Sequence, residues 1–337
     1  MSVSPTAEVP TADHTPATTE RRHTLRNFLI VAAIVLAIPF IPVINASQYY
    51  LHVLILILIN STFATSLAII ARTGQLSLCH AGFASVGGYI SALGAMRLGI
   101  PPAFGILIGG AVAGLVAFPL GWVILRLRGV YFVLVTFTFG QLLTLLALDM
   151  QSITEGANGL VGVPPLSIFG YSFVDRVPFY YLAAVFAGLV FLFTWRLLSA
   201  PAGRNFTCVE ENLQLAESTG IDTRKTQVLA FVIGSFIAGM GGALMTHYIR
   251  YISPDSFTFW TSVAFITMMV VGGRWALAGP FIGALIITPL PEFLRATGGL
   301  QHIIYGAILI LVLQFMPDGV ASIGARIKAL RKRRAHS

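Results

Sequence analysis

Apolar runs long enough for a bilayer, separated by short polar breaks, follow one another along almost the whole chain. A transmembrane helix needs about 20 mostly apolar residues. Ten runs approach or meet that length: 27–44, 49–71, 76–96, 103–125, 130–149, 178–198, 226–247, 257–273, 277–297 and 301–317. Pro280, Pro289 and Pro291 interrupt the ninth run. Runs eight and nine therefore read either as two spans or as one re-entrant hairpin. The predicted fold class is all-α, a polytopic integral membrane protein with about ten transmembrane helices.

One stretch breaks the pattern. "GRNFTCVEENLQLAESTGIDTRK" (203–225) is charged and polar between runs six and seven. Its apolar positions Val209, Leu213 and Ala216 recur at helical steps, with Glu210, Glu211, Gln214 and Glu217 on the other faces. The spacing predicts one amphipathic helix of about three turns, with Gly220 as its C-cap. Outside the runs, residues 150–177 form a long loop whose "TEGANGLVGVPP" is rich in turn formers.

Composition agrees with a membrane solvent. Of 337 residues, 56% are hydrophobic and only 10% charged, against about 25% charged in soluble domains. The mean hydropathy is +0.83. The net charge of +8 sits at run ends and in the terminal "ARIKALRKRR", not on a basic, aromatic-laced face, which excludes nucleic acid as a partner. With both termini cytoplasmic, 17 of the 21 Lys and Arg residues lie inside and only Arg97, Arg176, Arg250 and Arg295 outside. In that topology runs two to five begin outside and runs seven to ten begin inside, a pattern that an inverted repeat would produce.

Residues 1–26 read as a disordered cytoplasmic tail, 27–320 as the membrane domain and 321–337 as a basic cytoplasmic tail. Run one follows Arg21, Arg22 and Arg26 but ends in "VINASQ" without a cleavage site, so it reads as a retained anchor. Cys79 and Cys208 fall on the cytoplasmic side, where thiols stay reduced, and lack zinc-site spacing.

Catalytic chemistry is missing. None of the three lysines follows a glycine, so there is no Walker-type ATP site, and no H-E-x-x-H, G-x-S-x-G or C-x-x-C occurs. The chain does not read as an enzyme. Asp149, Glu155, Asp175, Asp255 and Glu292 all sit at or beyond run ends, with Glu292 three residues from Arg295 and expected to pair with it. No mid-membrane carboxylate is left for an ion-driven pump, so energy for uphill transport would come from a partner.

Uncharged polar residues do lie within the runs. Asn60, Thr62, Ser85, Tyr89, Thr136 and Gln141 are the candidates for a translocation path, beside Ser61, Ser91 and Thr138. Such groups either bond helix to helix or line a route for a neutral or zwitterionic solute. His80 and His302 lie near run ends and read as structural. Small residues at Gly110-x-x-x-Gly114, Ser235-x-x-x-Gly239 and Ala238-x-x-x-Gly242 suit close helix packing.

Lipid-bound helices carry Lys and Arg on the polar face, whereas the helix at 203–221 presents acids. A protein partner fits it better. Here the sequence resembles a known family, the membrane permease subunits of bacterial ABC importers for branched-chain amino acids, of the LivM type. In that family a cytoplasmic helix of "R-E-N-E-x-A-A-E-x-x-G-I" character docks on the ATPase subunit. Gly203-Arg204, Glu211, Asn212, Ala216, Glu217, Gly220 and Ile221 match it, while Glu210 stands where arginine is usual and Leu213 where an acid is common. "GQLSLCHAGFASVGGY" (74–89), "LRLRGVYFVLVTFTFGQ" (125–141), "EGANGLVGVP" (155–164), "ISPDSFTFWTSVAFITMMVVGG" (252–273) and "GPFIGALIITPLPEFLR" (279–295) resemble further family segments. Between the last two, "RWALA" departs from the usual Gly-Ser turn.

The resemblance covers about residues 48–320. It implies that Arg204, Glu210, Glu211, Asn212, Ala216, Glu217 and Gly220 form the ATPase-coupling surface. It also implies a bacterial cytoplasmic (inner) membrane, with ATP and Mg bound by partner ATPase subunits and no cofactor on this chain. A second permease subunit, homo- or heterodimeric, and an extracytoplasmic solute-binding protein would complete the assembly in membrane lipid. The implied solute is a branched-chain amino acid, although urea and short amides use related permeases. A secondary carrier or channel, needing no ATPase, is the rival reading.

Overall fold

A computed structural model describes residues 47–168, 170–293 and isolated positions between 300 and 314. Run one, both tails, most of run ten, His302 and the side chains of the Glu292–Arg295 pair lie outside the described residues. Six described helical segments are long and apolar enough to cross a bilayer. The chain is a multi-pass, all-α membrane protein over these residues.

Most apolar runs become helices within a few residues of their predicted ends. They are α1 (Gln48–Ala71), α2 (His80–Arg97), α3 (Pro102–Ile124), α4 (Val130–Asp149) and α5 (Arg176–Ser199). The polar stretch holds α6 (Pro201–Glu211) and α7 (Leu213–Ser218), and α8 (Thr223–Ile249), α9 (Phe259–Gly272) and α10 (Gly279–Ile287) follow.

α8 is the axis of the bundle and packs on α1, α2 and α3. Glycine makes this possible. A side chain at Gly242 would strike the Ala84 carbonyl, and one at Gly87 the backbone of Gly239, so α2 and α8 touch backbone to backbone. Gly109 of α3 presses on Gly87 in the same way. Hydrophobicity drives little helix association in lipid, so close van der Waals contact on small faces carries the packing. Aromatic rings fill the gaps, with Phe63 stacked on Phe265 at 4.5 Å and Phe83 edge-on to Phe231 at 5.5 Å.

The loops sort into two ends. Arg72 donates to the Trp275 carbonyl, Arg274 pairs with Glu210, and Arg224 donates to the Trp122 carbonyl, which gathers the turns after α1, α3, α5 and α9 at one end. At the other end Arg97 donates to the carbonyls of Ser152 and Ile153 at 3.0 and 2.9 Å. There β1 (Leu160–Val161) pairs antiparallel with β4 (Tyr251–Ile252), and β2 (Ser167–Ile168) with β3 (Tyr171–Ser172). His247 Nδ1 lies 2.8 Å from the Pro164 carbonyl and must donate to it; Nε2 then accepts from the Ser91 hydroxyl, also at 2.8 Å. This histidine pins the long 150–175 loop to the bundle.

Two runs start later than their hydropathy suggests. Run three, read from residue 76, becomes helical only at His80, and residues 73–79 descend as irregular backbone. Residues 253–258 enter α9 in a comparable way, through a short 3-10 turn (Pro254–Phe257). Irregular backbone at depth needs partners. Leu78 N–H donates to Thr136 Oγ1 at 3.2 Å, and Ala81 N–H to Ser262 Oγ at 3.0 Å.

Run nine is shorter than read. α10 covers nine residues, about 13 Å at 1.5 Å per residue. It ends beside the middle of α1, where Asn60 Nδ2 donates to Thr288 Oγ1 at 3.1 Å. Pro289 follows at once, and with no N–H it cannot bond the Leu285 carbonyl, so the ladder stops although Thr288 itself is still helical (φ −62°, ψ −40°). α9 and α10 pack on each other as a hairpin. A side chain at Gly283 would overlap the Met268 carbonyl, and one at Gly272 the Gly279 carbonyl, so the two helices are in backbone contact.

Candidate functional site

The polar stretch is two helices, which corrects the expectation of one. α6 begins on Pro201 and runs 11 residues, with Gly203, Phe206 and Val209 buried against the bundle. Phe206 is fully buried in a cluster with Ile69, Val190, Ala230 and Ile237. The helix breaks at Asn212, whose φ of −156° and ψ of 106° are extended. Its side-chain oxygen accepts from Leu215 N–H at 3.0 Å. A side chain that caps a new helix competes with continuing the old one, and Asn is a preferred N-cap.

α7 ends in a Schellman motif. Gly220, at φ +86°, donates to the Glu217 carbonyl at 3.0 Å, and Ile221 N–H donates to the Ala216 carbonyl at 3.0 Å. Only glycine takes that φ readily. Glu217 also accepts from the Thr223 hydroxyl at 2.8 Å, which ties α7 to the first turn of α8.

The seven coupling candidates separate by direction. Arg204, Glu211, Asn212, Glu217 and Gly220 are exposed, and Ala216 is buried beneath α7. Glu210 turns inward and pairs with Arg274 at 2.9 Å, its side chain only 11% exposed. Burial raises its carboxyl above the usual range, and Arg274 and Arg72 draw it back down. Leu215, a large apolar side chain on α7, is 62% exposed beside Glu217.

The path candidates fall in different places. Asn60 bonds to Thr288 as described. Thr62 is buried and returns its hydroxyl to the Ile59 carbonyl at 2.7 Å, beside a cavity of about 20 Å³ under α5. Ser85 and Tyr89 are buried in α2, and the Tyr89 hydroxyl has no partner among the described residues. Thr136 is fully buried and holds Leu78 in place. Gln141 is exposed and lines a groove of about 470 Å³ between α4 and the start of α9.

Val133, Leu134, Phe137, Gln141 and Thr144 of α4 line one wall of the groove and Leu78, Thr258, Phe259 and Trp260 face them, so it is mostly apolar with Gln141, Thr144 and Thr258 as its polar groups. Beneath it a pocket of about 10 Å³ lies between the first turns of α2 and α9, at Leu78, Ala81, Thr258 and Ser262. Helix N-termini carry partial positive charge and free N–H donors. The groove volume falls within the range of about 300–1,000 Å³ typical of small-molecule sites.

Comparison with known proteins settles the family. Residues 49–313 match the family described as branched-chain amino acid transport system / permease component. The chain belongs to that family. It is therefore a transport permease and not an enzyme. It is 28% identical over 318 residues to the high-affinity branched-chain amino acid transport system permease protein LivM of Escherichia coli K12, covering 88% of this chain and 75% of LivM. The Salmonella typhimurium LivM is 28% identical over 275 residues, covering 75% of this chain and 65% of that protein. The permease also resembles LivH of Escherichia coli K12, at 26% identity over 267 residues, 73% of this chain and 85% of LivH. No solved structure matches the chain.

Proposed function

We propose that this chain is the permease subunit of an ABC importer in the bacterial cytoplasmic (inner) membrane. It moves branched-chain amino acids, or a related small polar solute, driven by separate ATPase subunits that carry the ATP and Mg. The observation that carries the reading is the α6–α7 unit. Its apolar stripe Gly203, Phe206 and Val209 is sunk in the bundle, while Arg204, Glu211 and Glu217 point outward. An acidic outer face is repelled by anionic lipid and is suited to a protein cleft.

The mechanism in this reading is alternating access. A solute-binding protein docks at the end bearing the 150–175 loop, and the ATPase subunits hold α6–α7 at the other. The groove beside Gln141 is open toward the exposed side of α4, where Tyr131, Leu134, Leu142 and Leu145 are solvent- or lipid-accessible. A second permease subunit closes it. Aliphatic side chains suit the Val133–Phe137 wall, and a zwitterion's polar end suits Gln141, Thr258 and the helix N-termini. The described groove has no charged side chain among its lining residues, which favours a solute without net charge.

Uptake into proteoliposomes tests the reading. Transport of radiolabelled leucine, isoleucine or valine should require the ATPase subunits and ATP. Transport that persists without them would establish a carrier or channel instead. Path lining is tested separately with Gln141→Cys. Cys79 is buried and Cys208 exposed, so Cys208→Ser clears the background first. An aqueous thiol reagent should then label position 141 and block uptake, with leucine protecting. Labelling by lipid-dissolved reagents alone would place Gln141 against lipid.

A further inference from the structure

We propose that Glu210 and Arg274 form the link that carries movement of α6 into the α9–α10 hairpin, acting as positioning residues for the transport step. The inference rests on the importer reading and names a connection that reading does not contain. Glu210 sits on the bundle side of α6, and its carboxylate meets Arg274 at 2.9 Å. Arg274 opens the turn between α9 and α10 and lies 4.8 Å over the Trp275 ring. Arg72, at the end of α1, approaches the same ring at 5.7 Å and donates to the Trp275 carbonyl. One residue of the polar unit thus grips the turn of a hairpin that reaches the bundle interior.

The hairpin has the stiffness to pass the movement on. Gly272, Gly279 and Gly283 bring its two arms into backbone contact, and close-packed backbone does not deform continuously. Its far ends reach both candidate path regions. α9 starts at Phe259 and Trp260, on the groove beside Gln141, and its Ser262 caps the first turn of α2. α10 ends at Thr288, bonded to Asn60.

A surface ion pair is worth little, but the Glu210 side chain is only 11% exposed. Removing Arg274 takes away the ion-pair partner of a poorly solvated carboxyl.

A double-mutant cycle on the complete assembly tests the link. Glu210→Gln, Arg274→Gln and the double variant are reconstituted with the ATPase subunits. Solute moved per ATP hydrolysed is measured, together with co-purification of the ATPase and the KM for solute. Each single variant should keep the ATPase bound and the KM unchanged while lowering solute per ATP about five- to tenfold. The double variant should be no worse than either single. Additive losses, or a Glu210→Gln chain with wild-type solute per ATP, would overturn the link while leaving the importer reading standing. A wild-type assembly that transports nothing in the presence of ATP would overturn both.

Discussion

Gly242→Leu is expected to abolish a folded, monodisperse protein in detergent. At Gly242 the nearest atoms are all backbone of Ala84, with no side chain that could move aside. A carbon placed on Gly242 meets the carbonyl of Ala84, and Gly87 and Gly239 meet a few residues along the same helices. Overpacking a core costs about 1–3 kcal/mol where neighbouring side chains can shift. Here the neighbour is backbone, so the helices themselves must separate, and α3 rests on α2 at Gly109. The loss should therefore exceed that range. Size-exclusion profiles and thermal unfolding in mild detergent provide the check, and Gly242→Ala should show a lowered midpoint. Leu115→Ala is the contrasting case. Leu115 is 71% exposed on α3, so its truncation should leave the profile unchanged. A stable, monodisperse Gly242→Leu chain would mean that α2 and α8 are not in backbone contact.

Gly220→Pro is expected to reduce ATP-dependent uptake to background while the bundle stays folded. Proline holds φ near −65° and has no N–H. Gly220 sits at +86° and uses its N–H to close the end of α7. The substitution removes one bond of the Schellman motif and rotates the chain away from the other. Loss of the left-handed turn and its two bonds leaves the six-residue helix without a C-terminal cap. Nothing lies within 4 Å of the position where a Gly220 side chain would stand, so the bundle should be spared. The unfolding midpoint should shift by no more than a few degrees while co-purification of the ATPase subunits falls. Gly220→Asn should retain most uptake, because asparagine tolerates the left-handed region. Normal uptake with Gly220→Pro would argue that α7 plays no part in docking.

These two glycines differ in how visible they are. Gly220 was legible as a C-cap because capping is a local matter of φ and a few neighbouring N–H groups. Small residues at helical spacing marked α3 and α8 as packing faces, but which face met which partner was not written in either helix. Gly239 and Gly242 face α2 and α3 together, an arrangement that requires all three helices in place.

The polar stretch shows the same division. Its amphipathic period and its acids were plain in the sequence, and the buried Val209 and Ala216 agree with that reading. The break at Asn212 was only half legible. The residue type invites a cap, yet the continuing period of Val209, Leu213 and Ala216 argued for one helix. The inward turn of Glu210 could not be read locally, because its partner Arg274 lies 64 residues along the chain.

Sequence alone determined that this protein is built of apolar helices suited to lipid, the approximate ends of several of them, and the presence of one amphipathic unit between α5 and α8. Those are properties of single segments: length, hydropathy, helical period and the charge at each end. Tertiary structure decided where α2 and α9 begin, how deep α10 reaches and which way Glu210 points. The start of α2 depends on Thr136 and Ser262 accepting backbone N–H groups, and the end of α10 lies where Asn60 meets Thr288. A buried polar group is tolerable only if something satisfies it. In this fold the satisfying group comes from a distant helix, so no single segment can announce it.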